Sequence, residues 1–171
     1  MLAIRLSKVA LVAALALTCT LVVYGNIVEP AVNLAFVQHV LSMDTILPDS
    51  GIANRAITDP ALQRAAFTLI VVAEAVTALL LWTGAALMIA RARAPRGDFA
   101  RAKAWAIAGL SVGFLVWQGG FLGVGGEWFG MWMSATWNGQ QSAFRFAMTV
   151  LGVLIYVALP ETEDPDGIRR V

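Results

Sequence analysis

Leu69-Ile70-Val71-Val72-Ala73-Glu74-Ala75-Val76-Thr77-Ala78-Leu79-Leu80-Leu81 lies at the heart of a 26-residue run, 65–90, whose one ionisable side chain is Glu74. At a rise of 1.5 Å per residue such a run is about 39 Å long as a helix. A bilayer's hydrocarbon core is about 30 Å thick, so the segment spans it with some tilt or overhang. Thr58-Asp59-Pro60 precedes it as a helix start, with Asp59 at the N-cap and Pro60 at the first helical position.

The rest of the chain fits a lipid solvent. Its 171 residues are 59% hydrophobic and only 13% charged, with a mean hydropathy of +0.75. A single domain of this size cannot hide so much apolar surface within itself. Three further segments have the length and composition of spans: 9–28, 104–124 and 143–159. The first follows Arg5 and Lys8 and reads as a membrane helix with signal-anchor character, because its apolar run outlasts a signal-peptide core. Cys19 lies within it and has no intrachain disulfide partner.

Two connections, 29–64 and 125–142, fall on one side, and the loop 91–103 with the tail 160–171 falls on the other. Placing the termini with the loop puts nine of the 12 lysines and arginines on that side, leaving Arg55, Arg64 and Arg145 opposite. The positive-inside rule then predicts cytoplasmic termini. The expected fold is an all-α four-transmembrane-helix bundle with a partly helical extracytoplasmic cap. In that cap, 31–41 is too short to span and reads as an interfacial helix. The charged tail is expected to be mobile.

Candidate functional groups are few. Glu74 stands roughly 15 Å below Arg64 along its helix. Intramembrane acids face the bundle interior and find partners. Thr77 shares its face, and Trp117 and Gln118 on the third span lie at comparable depth, so a hydrogen bond from either to Glu74 is expected. Two readings stand side by side: a ligand, proton or ion site, and a protonated acid pinning two helices. His39 with Met43 four residues on has the spacing for a metal or haem pair, but one histidine and one methionine make a poor site. No metal and no cofactor is therefore expected.

The second outer connection carries three of the six tryptophans: Trp128, Trp132 and Trp137. Aromatics beside polar groups mark a membrane–water boundary. With His39, Asp44, Glu127, Asn138, Gln140 and Arg145 they make up the candidate cap residues. Asn138-Gly139 is a turn signal, and Arg145 is placed to pair with Glu127 or a loop aspartate. Gly109 with Gly113, and Gly119 with Gly123, are small-xxx-small pairs that favour close helix packing, within the bundle or between protomers. Ser134 and Ser142 have no histidine adjacent in sequence, so the chain is not expected to be an enzyme. A net charge of +1 gives no footprint for nucleic acid.

Several stretches together resemble a bacterial family of predicted small integral membrane proteins, a domain of unknown function. They are His39-Val40-Leu41-Ser42-Met43-Asp44-Thr45, Ala56-Ile57-Thr58 with Pro60, Gly125-Gly126-Glu127-Trp128-Phe129 and Trp137-Asn138-Gly139-Gln140. The resemblance implies four membrane helices in a bacterial inner membrane and no established activity, substrate or cofactor. The chain departs from the family pattern at Met133, where glutamine is usual. The functional expectation is a non-enzymatic accessory protein that meets membrane lipid, and a membrane-protein partner or second copy, through its cap. The alternative is a small-molecule, lipid or ion-binding or transport protein using Glu74.

Overall fold

Four long apolar helices, crossing between two ends, form the frame of the computed structural model, which describes residues 1–161. They are α1 (Leu2–Val28), α3 (Pro60–Ala90), α4 (Arg96–Phe114) with a π-helical continuation over Leu115–Trp128, and α5 (Gln140–Ala158). A shorter helix, α2 (Pro30–Ser42), and 3-10 turns at Ala53–Arg55 and Met131–Met133 complete the described elements. All are helical, as the apolar runs predict. Leu17, Leu69, Leu79 and Ile155 are each more than half exposed along the long helices. Helices that are apolar all round and leave large aliphatics outside are built for lipid.

The helix starts follow from local chemistry. Asp59 Oδ1 accepts from the backbone N–H of Ala61 at 2.7 Å and Pro60 opens α3, as expected. Pro30 opens α2, which ends at Met43 in the left-handed conformation with φ 53°. The third span runs further than its sequence suggests. Gly126, Glu127 and Trp128 continue the same helix, and Trp132 lies in the 3-10 turn that follows. Five glycines (Gly119, Gly120, Gly123, Gly125 and Gly126) lie in this π-wound stretch, which far exceeds the single-turn bulges in which π geometry normally occurs.

Packing between α3 and α4 depends on small residues. A Cβ on Gly84 would lie 2.5–2.7 Å from the backbone and Cβ of Ala106. One on Gly109 would meet Leu80 and Leu81 at 3.0 Å, and one on Gly113 would meet Thr77 at 3.0 Å. The Gly109–Gly113 pair thus packs within the bundle. Gly119 meets nothing within 4 Å and Gly123 only its own helix, so the second pair makes no close approach in this chain. The register is antiparallel: three or four positions down α3 correspond to as many up α4. Continued from Thr77 and Gly113, it brings Glu74 level with Val116.

Trp82 Nε1 donates to Thr20 Oγ1 at 3.1 Å between α3 and α1, and Ser7 Oγ meets Tyr156 Oη at 2.6 Å between α1 and α5. Successive helices therefore alternate in direction around a ring, the up-down arrangement of a bundle. Its core holds Val12, Ala16, Leu81, Met88, Phe99, Ala106, Leu110, Val150 and Val157.

At one end the two long connections pack on each other. Val37, Val40, Leu41, Met43, Phe129 and Met131 form a second apolar core, flanked by Phe36, Ile46, Ile52, Ile57 and Phe67. Ile57 N–H donates to Leu41 O at 2.8 Å, and Thr45 Oγ1 meets Ser134 Oγ at 2.8 Å. We call this layer the cap.

Candidate functional site

Glu74 is 4% exposed and points into the bundle. Its expected partners do not hold it. Asn26 Nδ2, from the last turns of α1, donates to Glu74 Oε2 at 2.9 Å. Asn33 Nδ2, on α2, donates in turn to Asn26 Oδ1 at 2.6 Å. This second bond turns the Asn26 amide so that its NH₂ group faces the carboxyl. A polar relay thus runs from α2 through α1 to α3.

Trp117 shares the site without bonding to Glu74; its ring stacks on Phe121 at 4.8 Å and on Phe146 at 4.5 Å between centroids. Gln118 faces elsewhere. It lines an open groove with Glu127, Gln140 and Gln141. Neighbouring residues on a helix point in different directions, so placing Trp117 toward Glu74 turns Gln118 away. Thr77 is buried beside Glu74, but its hydroxyl donates to Ala73 O at 2.8 Å on its own helix.

Above Glu74 opens a cavity of about 450 Å³, with Asn26, Asn33 and Ser142 as its other polar lining. Phe36, Phe67, Trp117, Phe121 and Phe146 supply aromatic walls. Glu74 Oε1 accepts no hydrogen bond among the described residues, yet no fully enclosed side-chain oxygen or nitrogen there lacks a partner. Oε1 is therefore not fully enclosed, and Glu74 lines both this cavity and a small apolar crevice with Cys19, Val22 and Thr77. A separate apolar pocket of about 320 Å³ lies across Val37, Ile70 and Phe121, residues that line both spaces.

The cap residues are engaged mainly with one another. His39 Nδ1 meets Asp44 Oδ2 at 2.7 Å, and its ring stacks on Trp137 at 4.3 Å. Met43 is instead buried in the cap core, so the two do not form a ligand pair. Among the described residues no three histidines, cysteines or acids gather as a metal site. Arg55 lies over the Trp128 ring at 4.5 Å and donates to Trp128 O at 3.1 Å. Arg145 donates to Ser142 Oγ at 3.1 Å, not to Glu127, which is exposed in the groove with Gln140. Asn138 Oδ1 accepts from Gln140 N–H at 3.1 Å, and its side-chain amide donates to Trp132 O at 3.5 Å, closing the expected turn.

At the opposite end the structure holds a charged cluster that sequence reasoning missed. Glu161, 7% exposed, accepts from Lys8 Nζ at 2.8 Å and Arg5 Nε at 3.4 Å, with Lys103 Nζ at 3.1 Å. Arg5 also donates to Ala92 O and Ala94 O, and Lys8 and Lys103 both donate to Leu159 O. The first residue of the expected mobile tail after Pro160 is thus an anchor, and 162–171 lie outside the described residues. Burial alone would raise the Glu161 carboxyl; the hydrogen bonds and charges of Lys8 and Lys103 outweigh it and hold the group below the usual carboxylate value.

Four apolar helices, a packed cap and a carboxyl inside the bundle define a multi-pass helical integral membrane protein. The family model for predicted small integral membrane proteins (DUF2165) matches residues 4–160, and the chain belongs to that family. No curated protein and no solved structure matches it.

Proposed function

We propose that this protein binds a small molecule in the membrane, in the cavity between Glu74 and the cap, without making or breaking covalent bonds. The observation that carries this reading is Glu74, which lines a cavity of about 450 Å³ and whose Oε1 has no hydrogen bond among the described residues. Small-molecule sites measure about 300–1,000 Å³ and combine apolar walls with a few convergent polar groups. An intramembrane acid that only joined two helices would not require open volume above it. Arg91, Arg93, Arg96 and Arg101 in and beside the α3–α4 loop support cytoplasmic termini in a bacterial inner membrane, with the cap outside.

A cysteine at Gly25 tests the reading. Gly25 lines the cavity, and a Cβ there meets nothing within 4 Å. In a Cys19→Ser background, Gly25→Cys should react with a small hydrophilic thiol reagent more slowly in native membranes than in washed, purified protein. Adding Glu74→Leu should abolish the difference. Equal rates for Gly25→Cys in native membranes and in purified protein would refute an occupied cavity.

An accessory role through the cap is the second reading, favoured by Trp128 at 55% and Trp132 at 49% exposure. Aromatics are enriched where proteins meet. Mild-detergent purification that yields one monodisperse species, with neither a second copy nor a partner, would count against it.

A further inference from the structure

Accepting the cavity as a ligand site, we propose that its ligand is an organic ammonium, held by the Glu74 carboxylate and the surrounding aromatic side chains. Of the residues lining the cavity, Glu74 alone is ionisable. Phe36, Phe67, Trp117, Phe121 and Phe146 line the same space, and Trp117 forms one stack with Phe121 and Phe146. The face of an aromatic ring carries the negative end of its quadrupole, so it attracts a cation as water is removed. A carboxylate among such rings neutralises the charge that they only solvate.

Other ligand classes fit less well. A hard metal cation requires about six or more oxygen ligands; beyond Glu74 the lining offers only the side chains of Asn26, Asn33 and Ser142. An anion would meet the carboxylate with the wrong sign. A bulky ammonium spreads its charge over alkyl groups that pack against apolar walls.

Arg145 is a cation bonded to the cavity lining. It is exposed and reaches the rim through Ser142 Oγ at 3.1 Å. It opposes entry of a cation, so removing its charge should tighten binding.

Isothermal titration of the full-length protein in an uncharged maltoside detergent compares choline with 3,3-dimethylbutan-1-ol. The two have the same shape, with a quaternary nitrogen exchanged for carbon. Choline should bind at least tenfold more tightly than the alcohol. Glu74→Gln should weaken choline at least tenfold and Trp117→Leu several-fold. Arg145→Gln should strengthen it about twofold, and Gln118→Leu, in the other groove, should leave it unchanged.

Equal affinities for choline and the alcohol, or no choline binding, would overturn the ammonium assignment, and that comparison needs no variant to fold. Choline binding that survives Glu74→Gln would overturn it as well. In each case the ligand-site reading stands or falls separately, on the labelling of Gly25→Cys.

Discussion

Asn26 and Glu74, 48 positions apart, meet at 2.9 Å inside the bundle. The amide of one bonds one oxygen of the carboxyl of the other, and the remaining oxygen accepts no hydrogen bond among the described residues.

Removing Asn26 should therefore destabilise the bundle while leaving the cavity in place. A buried group that loses its hydrogen-bond partner costs about 1–3 kcal/mol. Asn26→Ala should lower the thermal midpoint accordingly, and Asn33→Ala should do so less, because Asn33 is exposed and acts only through Asn26. Combining Asn26→Ala with Glu74→Leu should restore part of the loss, since no orphaned carboxyl then remains. Additive losses in thermal unfolding would show that the pair is not coupled.

Glu161 should govern stability at the other end. Removing one partner of a buried ion pair costs about 3–5 kcal/mol, and Glu161→Gln leaves Lys8 and Lys103 without their shared carboxylate. Its folded pKa is held below the ordinary value. The stability it adds is complete above the unfolded value, about 4.3, and is lost as pH falls through the lower folded value. Glu161→Gln should have the lower midpoint, by a gap that stays constant from pH 7 to pH 5 and narrows below about pH 4. Identical profiles for the two proteins would remove Glu161 from the account.

Glycine substitutions should separate contacts that the small-xxx-small pattern lumps together. Gly84→Ala forces a methyl onto the Ala106 backbone, and overpacking of this kind costs about 1–3 kcal/mol. Gly119→Ala meets open space and should leave the midpoint unchanged or slightly raised. A large loss at Gly119 in a detergent-solubilised monomer would contradict the packing described.

The fold was legible because lipid demands long, unbroken apolar runs, and four such runs stand in the sequence. Glu74 was legible for the converse reason, as a lone acid within one. Its partners were not. Which side chains meet across helices depends on register and rotation, and one step around α4 separates Trp117, at the cavity, from Gln118, outside it. Asn26 left a trace as the one amide near the end of the first run, but nothing in sequence ties it to a residue 48 positions on. Gly84 escaped the glycine pattern because its small partner, Ala106, lies on the other helix. Glu161 followed a proline at the end of an apolar run and read as tail; only the three cations converging on it reveal an anchor.

Topology gives a simple prediction. An alkaline phosphatase fused after Gly51, in the cap loop, should be active, and one fused after Arg93, in the α3–α4 loop, should be inactive. The reverse pattern would invert the molecule and place the cavity mouth in the cytoplasm.

Native mass spectrometry of protein taken directly from its membrane tests the central claim most directly. The account predicts that the unmodified protein carries a small, non-lipid adduct that Glu74→Leu lacks, while lipid adducts are the same in both. Identical adducts on a folded Glu74→Leu protein would contradict it.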